Sequence, residues 1–244
     1  MSLRVLDLFS GIGGFSLGLE RTGGFETVVF CEIDARAQAV LRKQWPRVPI
    51  INDVETAHFR KGMADVITAG FPCQDISLAG PGAGLAGARS SLFWSVMRAI
   101  RVVRPLVVLL ENVEALLRRG MGDVLGALAS EGYDAEWDCV RAIDAGRPHL
   151  RKRIYIAAYA QSHGRGPGRP GGLADGIAWL PIEPCWNGNP IDFFEERLAQ
   201  PALLGMDDEF PRGLDRLSLC GNALIPVIPE LIGRAYLDAE RLAA

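Results

Sequence analysis

Leu3-Arg4-Val5-Leu6-Asp7-Leu8-Phe9-Ser10-Gly11-Ile12-Gly13-Gly14-Phe15-Ser16-Leu17-Gly18 carries an apolar run into clustered glycines and then into helical spacing. Leu3–Phe9 predicts a strand, and the helix runs to about Arg21. A strand, a glycine turn and a helix form the first half of a nucleotide-binding βαβ unit, because glycines let the backbone approach a ligand closely. A second strand, Glu26–Phe30, ends in Cys31-Glu32-Ile33-Asp34. An acid at that place suits hydrogen bonding to ribose hydroxyls. NAD, FAD and S-adenosylmethionine all fit such a unit, and a turn that merely packs helix on sheet is the plain alternative.

Working outward, Asp65-Val66-Ile67-Thr68-Ala69 reads as a buried strand, followed by Gly70-Phe71-Pro72-Cys73-Gln74-Asp75-Ile76-Ser77. Gly permits a tight turn and Pro cannot donate a ladder hydrogen bond, so Cys73 is expected where the strand has ended. In an open α/β sheet, ligands bind in the crevice beyond the carboxyl ends of the strands. The segment after Cys73 holds Gly80, Gly82, Gly84 and Gly87, which suits a lid. Pro105–Leu110 is a continuous apolar run, expected as a central parallel strand, ending at Glu111-Asn112-Val113. It would set a carboxylate beside the thiol. A buried structural Cys and a solvated Glu are the plain alternatives.

Helices are expected over Ala35–Trp45, Ser90–Val103, Gly122–Ser130 and about Pro226–Leu242, and further strands over Val48–Ile51, Tyr133–Arg141 and Ile154–Tyr159. The alternation predicts an α/β fold: a doubly wound, mostly parallel Rossmann-like sheet with helices on both faces. Gln161–Pro211 lacks a clear core element and reads as an irregular insertion. The organisation expected is residues 1–160, an insertion at 161–211, and a returning segment at 212–244.

The 244 residues suffice for one large domain with a full core. No stretch is long and apolar enough to cross a membrane, and, with Leu3–Phe9 reading as a strand, no signal peptide is expected. Five scattered Cys make neither a disulfide framework nor a metal site, so a reduced, cytoplasmic protein without metal is expected. The net charge of −3 is uneven: Arg141–Pro170 holds seven Arg or Lys against Asp144. That density is typical of a phosphate-binding surface.

With these residues in hand, the chain resembles the C5-cytosine DNA methyltransferases, from Leu6 to about Ala160 and again over Gly213–Tyr236, where short bacteriophage and prophage members are similar. The resemblance implies S-adenosylmethionine as cofactor. Phe9, Ser10, Gly11, Gly13 and Gly14 would form its loop, with Glu32 at the ribose, Ile33, Asp53 and Val54 at the adenine, and Gly70, Pro72, Leu92, Asn222 and Ala223 completing the contacts. It implies Cys73 as nucleophile at C6 of a flipped-out cytosine, within Pro72-Cys73-Gln74, Glu111 at N3, and Arg151 and Arg153 as paired arginines. Double-stranded DNA would be the partner of a monomer, with a dimer or a partner protein as further options.

Three departures stand out. His149 occupies a place where the family usually has Gln. Ile33 replaces a bulky residue that stacks on adenine, which predicts weaker cofactor binding. Gln161–Pro211 is short for a target-recognition region, and the motif near Leu203-Leu204-Gly205-Met206 is barely recognisable. The competing readings are a tRNA methyltransferase, an inactive nucleic-acid-binding module and a nicotinamide oxidoreductase. The tRNA branch carries Cys-Phe-Thr, which does not occur in this chain. An inactive module has no need of Cys73, Gln74, Glu111, Arg151 and Arg153 together. An oxidoreductase leaves Pro-Cys-Gln and Glu-Asn-Val idle.

Overall fold

A computed structural model describes residues 2–72, 91–141, 151–163 and 224–243. Its seven strands are β1 (Leu3–Leu8), β2 (Phe25–Cys31), β3 (Ile50–Ile51), β4 (Val66–Ala69), β5 (Val107–Val113), β6 (Tyr133–Arg141) and β7 (Lys152–Ala160). The described helices are α1 (Gly14–Glu20), α2 (Ala35–Gln44), α3 (Ser91–Val103), α4 (Leu116–Arg119), α5 (Met121–Ser130) and α6 (Val227–Ala243).

The strands form one sheet in the order β3-β2-β1-β4-β5-β7-β6. All pairings from β3 to β5 are parallel, while β7 runs antiparallel to both β5 and β6. The chain winds outward from β1 through β2 to β3, then crosses back to β4 on the other side of β1. This puts the topological switch point between the carboxyl ends of β1 and β4, where ligands of such sheets bind.

Alternation along the strands sorts the core into two layers. Leu6, Leu8, Val108 and Leu110 pack with Phe93, Val96, Met97 and Ile100 of α3 and with Val124 and Leu128 of α5. Val5, Val107 and Leu109 pack on the other face with Phe15 and Leu19 of α1 and with Ile228, Ile232 and Tyr236 of α6. The α1–α6 seam is close because α1 presents glycine there. A Cβ on Gly14 would lie 2.7 Å from the Leu224 carbonyl oxygen.

The expected doubly wound, mostly parallel fold is what is observed, with differences in detail. β5 does not stop at Leu110 but continues through Val113, because β7 pairs along it as far as Val113 opposite Arg153. It is parallel to β4 only; its other neighbour is antiparallel. β3 is shorter than expected. Pro49 lies against β2, its carbonyl accepting from the Phe30 amide at 3.0 Å, but it has no N–H with which to begin a ladder. The four-residue α4 follows Glu114-Ala115 and was not anticipated, being too short to show a helical period. The expected insertion, apart from its first three residues, lies outside the described residues.

Candidate active site

The end of β1 is shaped by backbone conformation. Phe9 (φ +53°) is a non-glycine residue in the left-handed region, and Gly11 (φ +53°) and Gly13 (φ +85°) follow there. Such a conformation in Phe stores strain that the surroundings must hold. Asp7 is part of what holds it. Its buried carboxylate accepts from Ser16 Oγ at 2.8 Å and from Thr68 Oγ1 at 2.6 Å, joining β1 to α1 and β4. Ser10 Oγ donates to the Asp7 carbonyl at 2.6 Å and accepts from the Cys31 amide at 3.2 Å. Burial pushes the Asp7 carboxyl up to about 7, against the opposing pull of both hydroxyls.

Glu32 follows β2 directly. Its Oε2 accepts from the Gly11 amide at 2.7 Å and its Oε1 from the Asp34 amide at 2.8 Å. The carboxylate is thereby fixed against the glycine loop. Gln38 Nε2, on α2, donates to the Glu32 carbonyl at 2.6 Å and to Asn52 Oδ1 at 2.7 Å, tying this corner to the loop after β3.

Glu111 sits in the last turn of the β5 ladder on the α1–α6 face. It is opposite Tyr155, and Arg153 lies diagonally across on the same face. Arg153 Nε is 3.1 Å from Glu111 Oε1, and Arg151 Nη2 is 3.8 Å from the same oxygen. The contact with Arg153 is an ion pair without hydrogen-bond alignment, since Oε1 is a buried oxygen with no hydrogen-bond partner. Oε2 faces the other way, and a Cβ on Gly70 would meet it at 3.5 Å. Burial raises the Glu111 carboxyl above the usual range, while Arg153 and then Arg151 pull it down without cancelling the rise.

Next along the strand, Asn112 is buried and donates from Nδ2 to the Phe71 carbonyl at 3.1 Å. It thereby pins the backbone that runs from β4 into the exposed Pro72.

Phe9, Ser10, Gly11, Gly14, Glu32, Gly70 and Glu111 line one cleft of about 310 Å³, together with Ile12, Phe15, Asp34, Arg36, Ala37 and Leu224. Gly13 is buried beneath it against Trp45. Ile33 is 69% exposed and is not among the lining residues. Asp53, Val54 and Leu92 also stand outside that lining. Asp53 caps its own turn by accepting from the Glu55 amide at 2.8 Å, Val54 is buried, and Leu92 packs against the core. Arg151 and Arg153 form the wall behind Glu111 with Tyr155 and Leu224. Cys73, Gln74, Asn222 and Ala223 lie outside the described residues.

Asp7, Gln38, Asn112 and Leu224 had no role in the sequence reading. Asp7, at the head of the glycine-loop stretch, and Asn112, beside Glu111, sat in motifs that could have flagged them; Gln38 and Leu224 did not. Among the described residues there is no cluster of His, Cys, Asp or Glu fit to hold a metal, and no helix long and apolar enough to cross a membrane.

The family model for C-5 cytosine-specific DNA methylase matches residues 3–167. The chain belongs to that family. Type II methyltransferase M2.BsuMI of Bacillus subtilis (strain 168) is 38% identical over 164 residues, which are 64% of this chain and 42% of that protein. Type II methyltransferase M.Bsp6I of Bacillus sp. (strain RFL6) is 35% identical over 164 residues, 64% of this chain and 52% of that one. This methylase-family chain thus spans about half the length of the curated relatives it matches.

Two solved structures share the fold. A DNA modification methyltransferase encoded within an E. coli prophage superposes with a TM-score of 0.64 at 19% identity, covering 98% of this chain and all of that one. The S. pombe Dnmt2 methyltransferase gives 0.62 at 16% identity, covering 99% and 98%.

Proposed function

We propose that this chain is a DNA (cytosine-5)-methyltransferase that uses S-adenosylmethionine and acts through a covalent Cys73–C6 intermediate. The observation that carries this reading is Glu111. Its Oε1 is backed by two arginines, while Oε2 opens toward Gly70 at the end of β4, three residues before Cys73. A carboxyl group so held has one oxygen to offer a substrate ring.

The cleft suits the cofactor. Glu32 is fixed at its lip for a ribose, and the glycine loop leaves backbone amides for a carboxylate at the start of α1. Gly13, Ile33, Asp53, Val54, Leu92, Asn222 and Ala223 are proposed to complete the site. When bound, S-adenosylmethionine supplies an electrophilic methyl group on its sulfonium.

Cytosine C5 is a poor nucleophile. Addition of the Cys73 thiolate at C6 makes C5 reactive, which divides one hard step into easier ones. Glu111, whose carboxyl burial raises above the usual range, relieves the charge that builds on the ring by hydrogen bonding or proton donation at N3. Arg151 and Arg153 orient Glu111 and hold the base carbonyl or a phosphate. Once C5 is methylated, a base removes its proton and Cys73 leaves by elimination. The base must first leave the stack, with the segment from Gln74 to Gly87 as lid. Residues 1–160 are proposed as the catalytic unit, 161–211 as a reduced target-recognition region and 212–244 as a returning segment.

The test is a duplex containing 5-fluorocytosine with labelled S-adenosylmethionine, since fluorine at C5 blocks the elimination. A stable labelled adduct, absent from Cys73→Ala, is expected. An adduct that persists in that variant, or none on any duplex despite cofactor binding, sinks the reading.

A further inference from the structure

The carboxyl edge of the sheet is divided by charge. Around β1 to β3 it carries Glu32, Asp34 and Asp53 against Arg36. Around β5, β7 and β6 the balance reverses. Arg141 at the end of β6 lies directly opposite Lys152 at the start of β7, and Arg153 lies opposite Val113 at the end of β5. Arg118 and Arg119 add two more cations on α4, which follows the carboxyl end of β5 after a two-residue turn. The carboxylates here are already engaged: Lys152 Nζ is 2.7 Å from Glu114 Oε1, and Arg153 Nε is 3.1 Å from Glu111 Oε1.

Arg118 differs from its neighbours. It is exposed, and among the described residues its side chain makes neither a hydrogen bond nor an ion pair. It is nonetheless rigidly mounted. Leu116 of the same short helix is fully buried, and the Gly120 amide closes the turn on the Leu116 carbonyl at 3.1 Å. Its guanidinium offers a fork of donors to an anion with no ion pair to give up first.

We infer that this rim is where the sugar–phosphate backbone of the substrate duplex lies, with Arg118 of α4 as a phosphate contact beside the target base. The inference rests on the DNA-methylating reading above. A chain of net charge −3 has no global attraction for a polyanion, so attraction must come from a local surface. The cations follow the ends of three adjacent strands. They are strung along an edge rather than gathered about one point, which fits a linear polyanion better than a free phosphate. The rim also adjoins Glu111, so a backbone lying on it has a base within reach of the cleft.

The experiment measures binding of a fluorescein-labelled mixed-sequence DNA duplex to the full chain across a KCl series, with S-adenosylhomocysteine affinity measured in parallel. Arg118→Gln is expected to weaken duplex binding several-fold. It is also expected to make the slope of log K against log salt shallower by about 0.9, the share of one phosphate contact. Arg118→Lys keeps the slope, and S-adenosylhomocysteine affinity stays unchanged in both. Unchanged affinity and slope in Arg118→Gln overturn the inference. So does weakened binding with an unchanged slope, because a lost charge contact must alter it. Wild-type protein that binds S-adenosylhomocysteine but no duplex overturns the DNA reading itself, and this inference with it.

Discussion

At the scale of the residue, Asp7 and Glu111 are both carboxyl groups raised by burial, and they have separate consequences. Asp7 is held up to about 7 in the fold. Below about pH 4 both folded and unfolded chains are protonated there. Between about 4 and 7 only the folded chain keeps the proton, so the stabilisation that this group supports declines as pH rises through that window and is gone above it. Asp7→Asn removes this slope. Relative to wild type, urea unfolding should find the variant gaining stability from pH 5 to pH 8, by up to about 3 kcal/mol, since roughly two units of the window lie in that range. A constant difference across that range would count against the assignment. For Glu111, the protonated form persists to higher pH than an ordinary carboxyl group, so turnover should fall on the alkaline side as it ionises. Glu111→Gln should cost about 10²- to 10⁴-fold in kcat and flatten that limb, as read from a pH–rate profile. The residue types at this site were legible in sequence, because a glycine turn, a thiol after Pro72 and an acid after an apolar run are local features. What holds them was not. Asp7 to Thr68, Asn112 to Phe71 and Glu111 to Arg153 join residues between 41 and 61 positions apart, and only strand register brings them together.

At the scale of the element, α3 is fastened to the loop after β3 by one side chain. Arg98 donates to the carbonyl oxygens of Val54 at 2.6 Å, Glu55 at 2.9 Å and Ala57 at 3.1 Å, and its guanidinium lies 5.2 Å from the Phe59 ring centroid. The helix after the proposed lid is thereby joined to the loop proposed to meet the adenine. Arg98→Met leaves three carbonyls without this donor and should lower stability by about 1–3 kcal/mol. It should also raise KM for the cofactor more than it lowers kcat, which steady-state kinetics would resolve. The α1–α6 seam gives a second expectation. Gly14→Ala forces a Cβ to within 2.7 Å of the Leu224 carbonyl oxygen, so backbone must shift, at a cost of about 1–3 kcal/mol in thermal unfolding. Element identity was largely readable from apolar periodicity. Element direction was less so. β7 reads as any buried strand, and its antiparallel course, which sets Arg153 against Glu111, comes from its link to β6 rather than from its composition.

At the scale of the whole molecule, the switch point between β1 and β4 gathers the cleft from residues as far apart as Phe9 and Leu224. A ligand seated there should stabilise the whole fold. S-adenosylhomocysteine at one hundred times its Kd contributes about 2.7 kcal/mol, which for a chain of this size raises Tm by roughly 5–10 °C. Glu32→Ala should lose most of that shift, because the Gly11 and Asp34 amides then lack their common acceptor. A full shift in the variant would show that Glu32 is not part of the site. The seam between α1 and α6 also has a meaning in time. Phe15 and Leu19 face a partner helix that begins only at Val227. At about 5–20 residues per second, a ribosome needs about 10 to 40 seconds after α1 to supply it. During that interval the nascent sheet shows an apolar stripe and a cleft that still lacks Leu224. The pocket is therefore completed long after its first strand has been made, and a chain that has not yet reached Leu224 has nowhere complete to seat a ligand.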